Sequence, residues 1–267
     1  MKKIGLFLVV SLFSVFCLTS CLESSNIVEG ESVGVMTYGK GYSAILKSPG
    51  YWFGGPSIDA LYAKADMEIG KCYAFYYRHD GDLPENAPNV VEANGYNTVS
   101  ILGYVEIDKY YMNSYLTDTS TVLYGEEPVI NGCERIIAYV ENNLFLTHII
   151  NQAADLQLEW DMSYDTNTMV PTEEGSQRFY DIYIRAIKRN SSDKSKTDVA
   201  VLNAYNIGSY LENAASNEKS FLGSSFSESS SVLTLRFNYV SEIDEDNKIT
   251  WKSKTERLGI AAILASN

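Results

Sequence analysis

Apolar and polar positions alternate with a period of two through most of the chain beyond residue 26, a pattern that predicts strands. Val99, Ile101, Val105 and Ile107 share one face of a segment whose other face carries Thr98, Ser100, Tyr104 and Glu106. Residues 71–78 form a shorter segment with aromatics on one side. Ile136, Ala138 and Val140 lead into Asn142-Asn143, and Leu144 and Leu146 leave it. Asparagine tolerates positive φ, so this pair predicts the tight primed turn of a hairpin. Tyr180, Ile182, Ile184 and Ala186 face one way, against Asp181 and Arg185. Leu233, Leu235, Phe237 and Tyr239 form another apolar face, and a polar turn at 244–247 then leads to Ile249 and Trp251, a second hairpin. Residues 258–264 read as a closing buried strand. Residues 199–211 fit a strand and a short helix equally well.

Between these segments, residues 80–89 carry two prolines and three acidic side chains, and 190–196 and 224–231 are polar. All read as loops. The stretch 113–130 is irregular and marks a domain boundary. Strands without intervening helical patterns point to barrels or sandwiches, and 20 tyrosines suit pleated, half-buried surfaces. The expected architecture is all-β, in two domains over 33–118 and 125–267.

The first 20 residues break the pattern. Lys2 and Lys3 precede an apolar run from Ile4 to Phe16, and Leu18-Thr19-Ser20 leads into Cys21. This is the layout of a bacterial lipoprotein signal peptide. The 13-residue run is short of the roughly 20 residues a spanning helix needs. Cleavage would leave Cys21 as a lipidated first residue on a tether over 21–32, with 22–26 its polar part. Two or three acyl chains, including palmitate, hold a protein stably at a membrane where one does not. Losing Lys2 and Lys3 takes the formal charge from −13 to −15. Such a surface repels nucleic acid and anionic lipid, which leaves no nucleic acid among the expected partners and the membrane reached only through the lipid.

Removal of Cys17 and acylation of Cys21 leave Cys72 and Cys133. An envelope location permits a disulfide between them, but Cys72 sits in a strand-like run beside Ala74 and Tyr76, where a buried thiol is the plainer reading.

The layout resembles the NigD-like lipoproteins of Bacteroidota. The resemblance rests on the Leu18–Cys21 lipobox and on Met67-Glu68-Ile69-Gly70 leading into the aromatic run 72–77. Residues 99–109 would close the first domain, and 135–150, 199–211 and 233–239 match more loosely. It implies an N-terminal OB-like barrel and a C-terminal β-sandwich, and it supplies no catalytic residues.

Candidate chemistry is sparse. Tyr51-Trp52-Phe53 lies between Pro49-Gly50 and Gly54-Gly55-Pro56, so the three rings are either a stacking platform for a sugar or protein partner, or a core strand between two turns. Tyr110, Tyr111 and Tyr115 could extend a platform. Asp80, Asp82 and Glu85, and Asp244, Glu245 and Asp246, lack calcium-loop spacing and read as solvated turns. Two cysteines and two distant histidines show no zinc pattern, so no metal or cofactor is expected. His148 sits within a strand, and His79 adjoins the 80–89 loop. Neither accompanies a nucleophile elbow or a metalloprotease helix. The expected protein is therefore a non-enzymatic, outer-membrane lipoprotein on the cell surface or periplasmic face. Its role would be protein binding or envelope assembly. A glycan-binding lipoprotein, an accessory subunit of a surface fibre and a hydrolase are the rival readings. Palmitate labelling of growing cells should mark the wild-type chain, while Cys21→Ser should lose the label and leave the membrane fraction.

Overall fold

The computed structural model describes residues 26–115, 119–120, 122, 127–153, 155–165, 171–174 and 177–265. The expected signal peptide, Cys21 and the expected tether up to residue 25 lie outside them. The described chain is mostly β and divides into two units at Ile107/Asp108.

In the first unit, β1 (Ile27–Tyr38), β2 (Ala44–Ser48), β3 (Tyr51–Gly54), β4 (Cys72–Asp80) and β5 (Asn97–Ile107) close into a barrel in the order β1-β2-β3-β5-β4. β3 and β5 run parallel, and the other neighbours are antiparallel. This is the OB arrangement that the family resemblance implied, built from the strands that the alternation predicted. β1 begins at Ile27, so the expected tether over 21–32 gives way there to six residues of barrel strand. Met36, Leu46, Phe53, Met67, Tyr73, Phe75 and Val99 fill the interior. Helix α1 (Pro56–Ala63) buries Ile58 against them. Pro56 supplies a preset φ at its first turn, and Gly55 precedes it at φ 102°, a backbone state that glycine adopts readily. Between β4 and β5 the expected loop contains a short 3₁₀ turn and helix α2 (Pro88–Asn94). Asn86 pins this segment. Its amide donates to the carbonyls of Asp80 (2.8 Å) and Thr98 (2.9 Å), and its Oδ1 accepts from the Thr98 N–H (2.7 Å).

The second unit opens at β6 (Lys109–Tyr111), which pairs with the strand over 196–206. The break between units thus precedes the irregular 113–130 stretch. β7 (Ile130–Val140), β8 (Asn143–Ala153), β9 (Leu158–Ser163), β10 (Thr172–Glu174), β11 (Gln177–Lys188), β12 (Lys196–Asn206), β13 (Val232–Ile243) and β14 (Ile249–Gly259) follow. They form one sheet in the order β10-β11-β13-β14, with β9 also on β11, and a second in the order β6-β12-β8-β7. Leu144, Leu146 and Ile150 of one sheet and Tyr180, Ile182, Ile184, Leu233, Leu235 and Phe237 of the other belong to one buried core, the interior of a sandwich.

Three local expectations change. The β7–β8 hairpin turns one residue earlier than Asn142-Asn143: Glu141 (φ 48°) and Asn142 (φ 62°) are its left-handed pair, and Asn143 already faces Val140 across the ladder. Residues 199–206 are strand, but helix α3 (Gly208–Leu222) begins just after it. It buries Tyr210, Leu211, Ala214, Ala215 and Glu218, a stripe of helical period. Finally, β14 stops at Gly259, and 260–264 form a short helix, α4, that buries Ile260 and Ile263. That i, i+3 spacing is invisible in so short an apolar run.

Barrel closure sets a sharp steric test. A Cβ on Gly34 would lie 2.4 Å from the Lys47 carbonyl oxygen, which is backbone of β2 and cannot swing aside. Gly34→Ala should cost about 2–3 kcal/mol in the thermal unfolding of this unit. Gly103→Ala, which meets nothing within 4 Å, should change little.

Candidate functional site

The pleat decides the fate of Tyr51-Trp52-Phe53, since successive side chains of a strand point to opposite faces. Phe53 enters the barrel core, 5.9 Å from Phe75 and 4.7 Å from Tyr77 between ring centroids. Tyr51 is 61% exposed and stacks on Phe53 at 6.1 Å and 11°. Trp52 is half-exposed on the other face, under the Lys47 ammonium 4.6 Å away. The run is therefore neither wholly core nor a single platform. In the second unit Tyr110 leans on Tyr205 (5.9 Å), and burial pushes its hydroxyl up to about 12. Tyr111 and Tyr115 are exposed.

A more coherent group of rings sits at the β1–β2 connection. Tyr38 at the end of β1, Tyr42 in the connection and Tyr62 on α1 are all exposed, Tyr42 by 87%. Tyr38 meets each of the other two edge-to-face, with centroids 6.3 Å apart in both cases. The Tyr38 and Tyr62 hydroxyls hydrogen-bond at 2.9 Å, which pushes the Tyr38 hydroxyl above its usual range. The turn beneath them is tied down. Gly39 N–H donates to the Ser43 carbonyl (2.8 Å), and the Lys40 ammonium reaches the Glu92 carbonyl (3.2 Å) at the end of α2. Tyr42 itself has φ 62°. A bulky L-residue pays about 1–2 kcal/mol for that conformation, here spent holding a ring in solvent. The signal lay in the sequence as Tyr-Gly-Lys-Gly-Tyr over 38–42, aromatics flanked by glycine as at 51–53.

The other candidates resolve as structure. Asp80 Oδ1 accepts from the Asp82 N–H (3.0 Å), and Asp244 Oδ1 accepts from the Asp246 and Lys248 N–H groups (2.9 and 2.8 Å). These carboxylates hold their own turns. Cys72 and Cys133 are buried thiols, one in each unit, so the bridge considered between them gives way to the plainer reading. His79 is part-buried on β4. His148 is fully buried, stacked on Trp160 at 4.5 Å and hydrogen-bonded through Nε2 to the Tyr205 hydroxyl at 2.8 Å. No substrate can touch it there.

Residues 24–105, which hold the barrel, match a family described as the lipoprotein OB domain. The chain thus carries an OB barrel that is similar to this family's domain, followed by a β-sandwich unit. An uncharacterized protein from Parabacteroides merdae has a similar structure, with TM-score 0.71 and 19% identity over 86% of this chain and 99% of its own. A protein assigned as a lipoprotein from Bacteroides fragilis is similar at TM-score 0.52 and 9% identity, over 87% and 98%. A protein of unknown function from Bacteroides vulgatus gives 0.51 and 10%, over 86% and 92%. At these identities the likeness is one of fold. No curated protein matches the chain.

Burial lowers the His148 pKa to about 3, against about 6.5 for an unfolded histidine. The histidine costs nothing above pH 6.5. Below it the unfolded chain takes up a proton that the folded one refuses, so stability falls as pH drops toward 3. Denaturant unfolding should show the second unit weaker at pH 5 than at pH 7 by about 2 kcal/mol from this residue. His148→Phe should flatten that part of the slope.

Proposed function

We propose that the protein is a NigD-like lipoprotein, held at the outer membrane by lipid on Cys21, that works without catalysis by binding a partner in the envelope or at the cell surface. The observation that carries this reading is the Tyr38, Tyr42 and Tyr62 group. Exposed tyrosines cost little conformational entropy to immobilise and combine an apolar ring with a hydroxyl, the profile of an interface anchor. Lys40 and Ser43 hold the turn in place before any partner arrives, which reduces the ordering cost of binding. Among the described residues no helix is long and apolar enough to cross a membrane, in keeping with attachment through lipid.

A protein partner is the lead reading. A glycan is the second, favoured by the separate exposed faces of Tyr51 and Trp52, whose rings would stack on a sugar. Protease treatment of intact cells, with a periplasmic control, separates a surface location from a periplasmic one.

Tyr42→Gly isolates the contact from the fold. Glycine adopts the left-handed turn without strain, so folding stability should hold or rise by up to about 1 kcal/mol. Co-purification of the envelope partner from detergent extracts should fall roughly tenfold. Undiminished capture by Tyr42→Gly and by Tyr62→Ala would remove the tyrosine group from the binding surface.

A further inference from the structure

In the second unit, β14 pairs with β13 along one side from Ile249 to Gly259. Along its other side, Thr119 and Ser120 hydrogen-bond only at its start. The Ile249 N–H donates to the Ser120 carbonyl (3.2 Å), and the Trp251 indole N–H donates to the Thr119 carbonyl (2.8 Å). From Lys252 to Leu258 no described residue pairs along this edge. Lys252, Ser253, Lys254 and Thr255 are all exposed, so both faces of the strand are open there. An unpaired edge of this kind is a template for another strand, and charge decides which strand fits. Pleating puts Lys252, Lys254, Glu256 and Leu258 on one face and Ser253, Thr255 and Arg257 on the other. Lys254 and Glu256 pair at 3.7 Å along theirs.

Antiparallel pairing, the more stable arrangement per residue, joins the same edge of two copies about a two-fold axis normal to the sheet. Each side chain then stays on its own face, so the axis passes through one residue, and that residue fixes every facing pair. Centred on Lys252, Lys254, Glu256 or Arg257, the axis sets that residue's charge against itself. Centred on Ser253, it sets Lys252 against Lys254. Thr255 is the exception. There Lys254 of each copy faces Glu256 of the other, Lys252 lies diagonal to that same Glu256, and the two Thr255 side chains meet at the axis. Opposite charges directly across a ladder stabilise it and like charges destabilise it. Lysines on an edge ordinarily block pairing, and here the charges between Lys252 and Arg257 leave one two-fold register open. We propose that β14 is a self-association edge, which joins two copies of this chain in the register centred on Thr255. The edge uses none of the barrel tyrosines and stands or falls apart from them.

Disulfide trapping in the detergent-solubilised full chain tests both the dimer and its register. Facing residues of an antiparallel pair lie about 4.5–5.5 Å apart between Cα atoms, within the span of about 4.4–6.8 Å that a disulfide bridges. Thr255→Cys should therefore give a covalent dimer on mild oxidation, with Cys72 and Cys133 both buried and out of reach. Ser253→Cys alone should give at least about tenfold less, because Ser253 of each copy faces Arg257 of the other. Mixing Ser253→Cys with Arg257→Cys should give the mixed dimer. Sedimentation of the wild-type chain should show reversible dimerisation below about 1 mM. Glu256→Lys should weaken it about tenfold or more, since both ion pairs become repulsive. Lys254→Glu with Glu256→Lys exchanges the two charges and should restore dimerisation to within about threefold of the wild type. A chain that stays monomeric throughout that range, equal cross-linking of Ser253→Cys and Thr255→Cys, or dimerisation indifferent to Glu256→Lys would each overturn the assignment. Tyr42→Gly should dimerise as the wild type does.

Discussion

Closing five strands into a barrel requires every strand to pair along both edges, and β1 does so with β4 and then with β2. Ile27 to Val35 pair with β4, and Val35 to Tyr38 pair with β2, so Val35 belongs to both ladders. Closure pairs strand edges that an open sheet would leave available to another chain. It also brings β1 against β2 so tightly that only hydrogen fits at Gly34. The end of β1 and the turn after it then sit where closure puts them, with Tyr38 and Tyr42 beside Tyr62. The exposed ring group is a product of the barrel's geometry, and the turn's hydrogen bonds keep it there.

In the second unit the constraint is polar. One face of β11 and β13 fills the apolar core, as the alternation requires, yet the other face is not simply solvated. Asp181 accepts from Arg236 (2.6 and 2.8 Å), Thr172 (2.7 Å) and Asn238 (2.9 Å). Burial pushes its carboxyl up, but these donors outweigh burial and hold it below the ordinary range. Farther along β11, Arg185 is buried against Glu127 at 3.1 Å, with the Trp251 ring 5.6 Å from its guanidinium. Removing either partner would strand a buried charge, a loss of about 3–5 kcal/mol.

The site was legible in part. Glycine-flanked aromatics drew attention to 51–53, but the pleat sends Phe53 inward and leaves Tyr51 and Trp52 on different faces. The better group, Tyr38, Tyr42 and Tyr62, spans a strand, a turn and a helix, and no spacing rule links residues 20 positions apart. Register has the same effect in the second unit, where Arg257 faces Thr234 only through the β13–β14 ladder. Asn86 and Arg185 looked like loop and surface residues because their partners, Thr98 and Glu127, lie far along the chain.

By itself the sequence determined the strands whose two faces differ in polarity, such as 99–107, 180–186 and 233–239. Alternation is a local property, and any fold that buries one face must respect it. It also determined the acidic body and both hairpin positions to within a residue. Tertiary structure alone decided the rest. Helix α3 buries alanines whose small apolar area is a weak signal in a linear chain, and 260–264 coil because Ile260 and Ile263 must both reach the same core. Which rings face water and which cations are matched both depend on residues brought together by sheet register, and register is set by the whole ladder rather than by any segment.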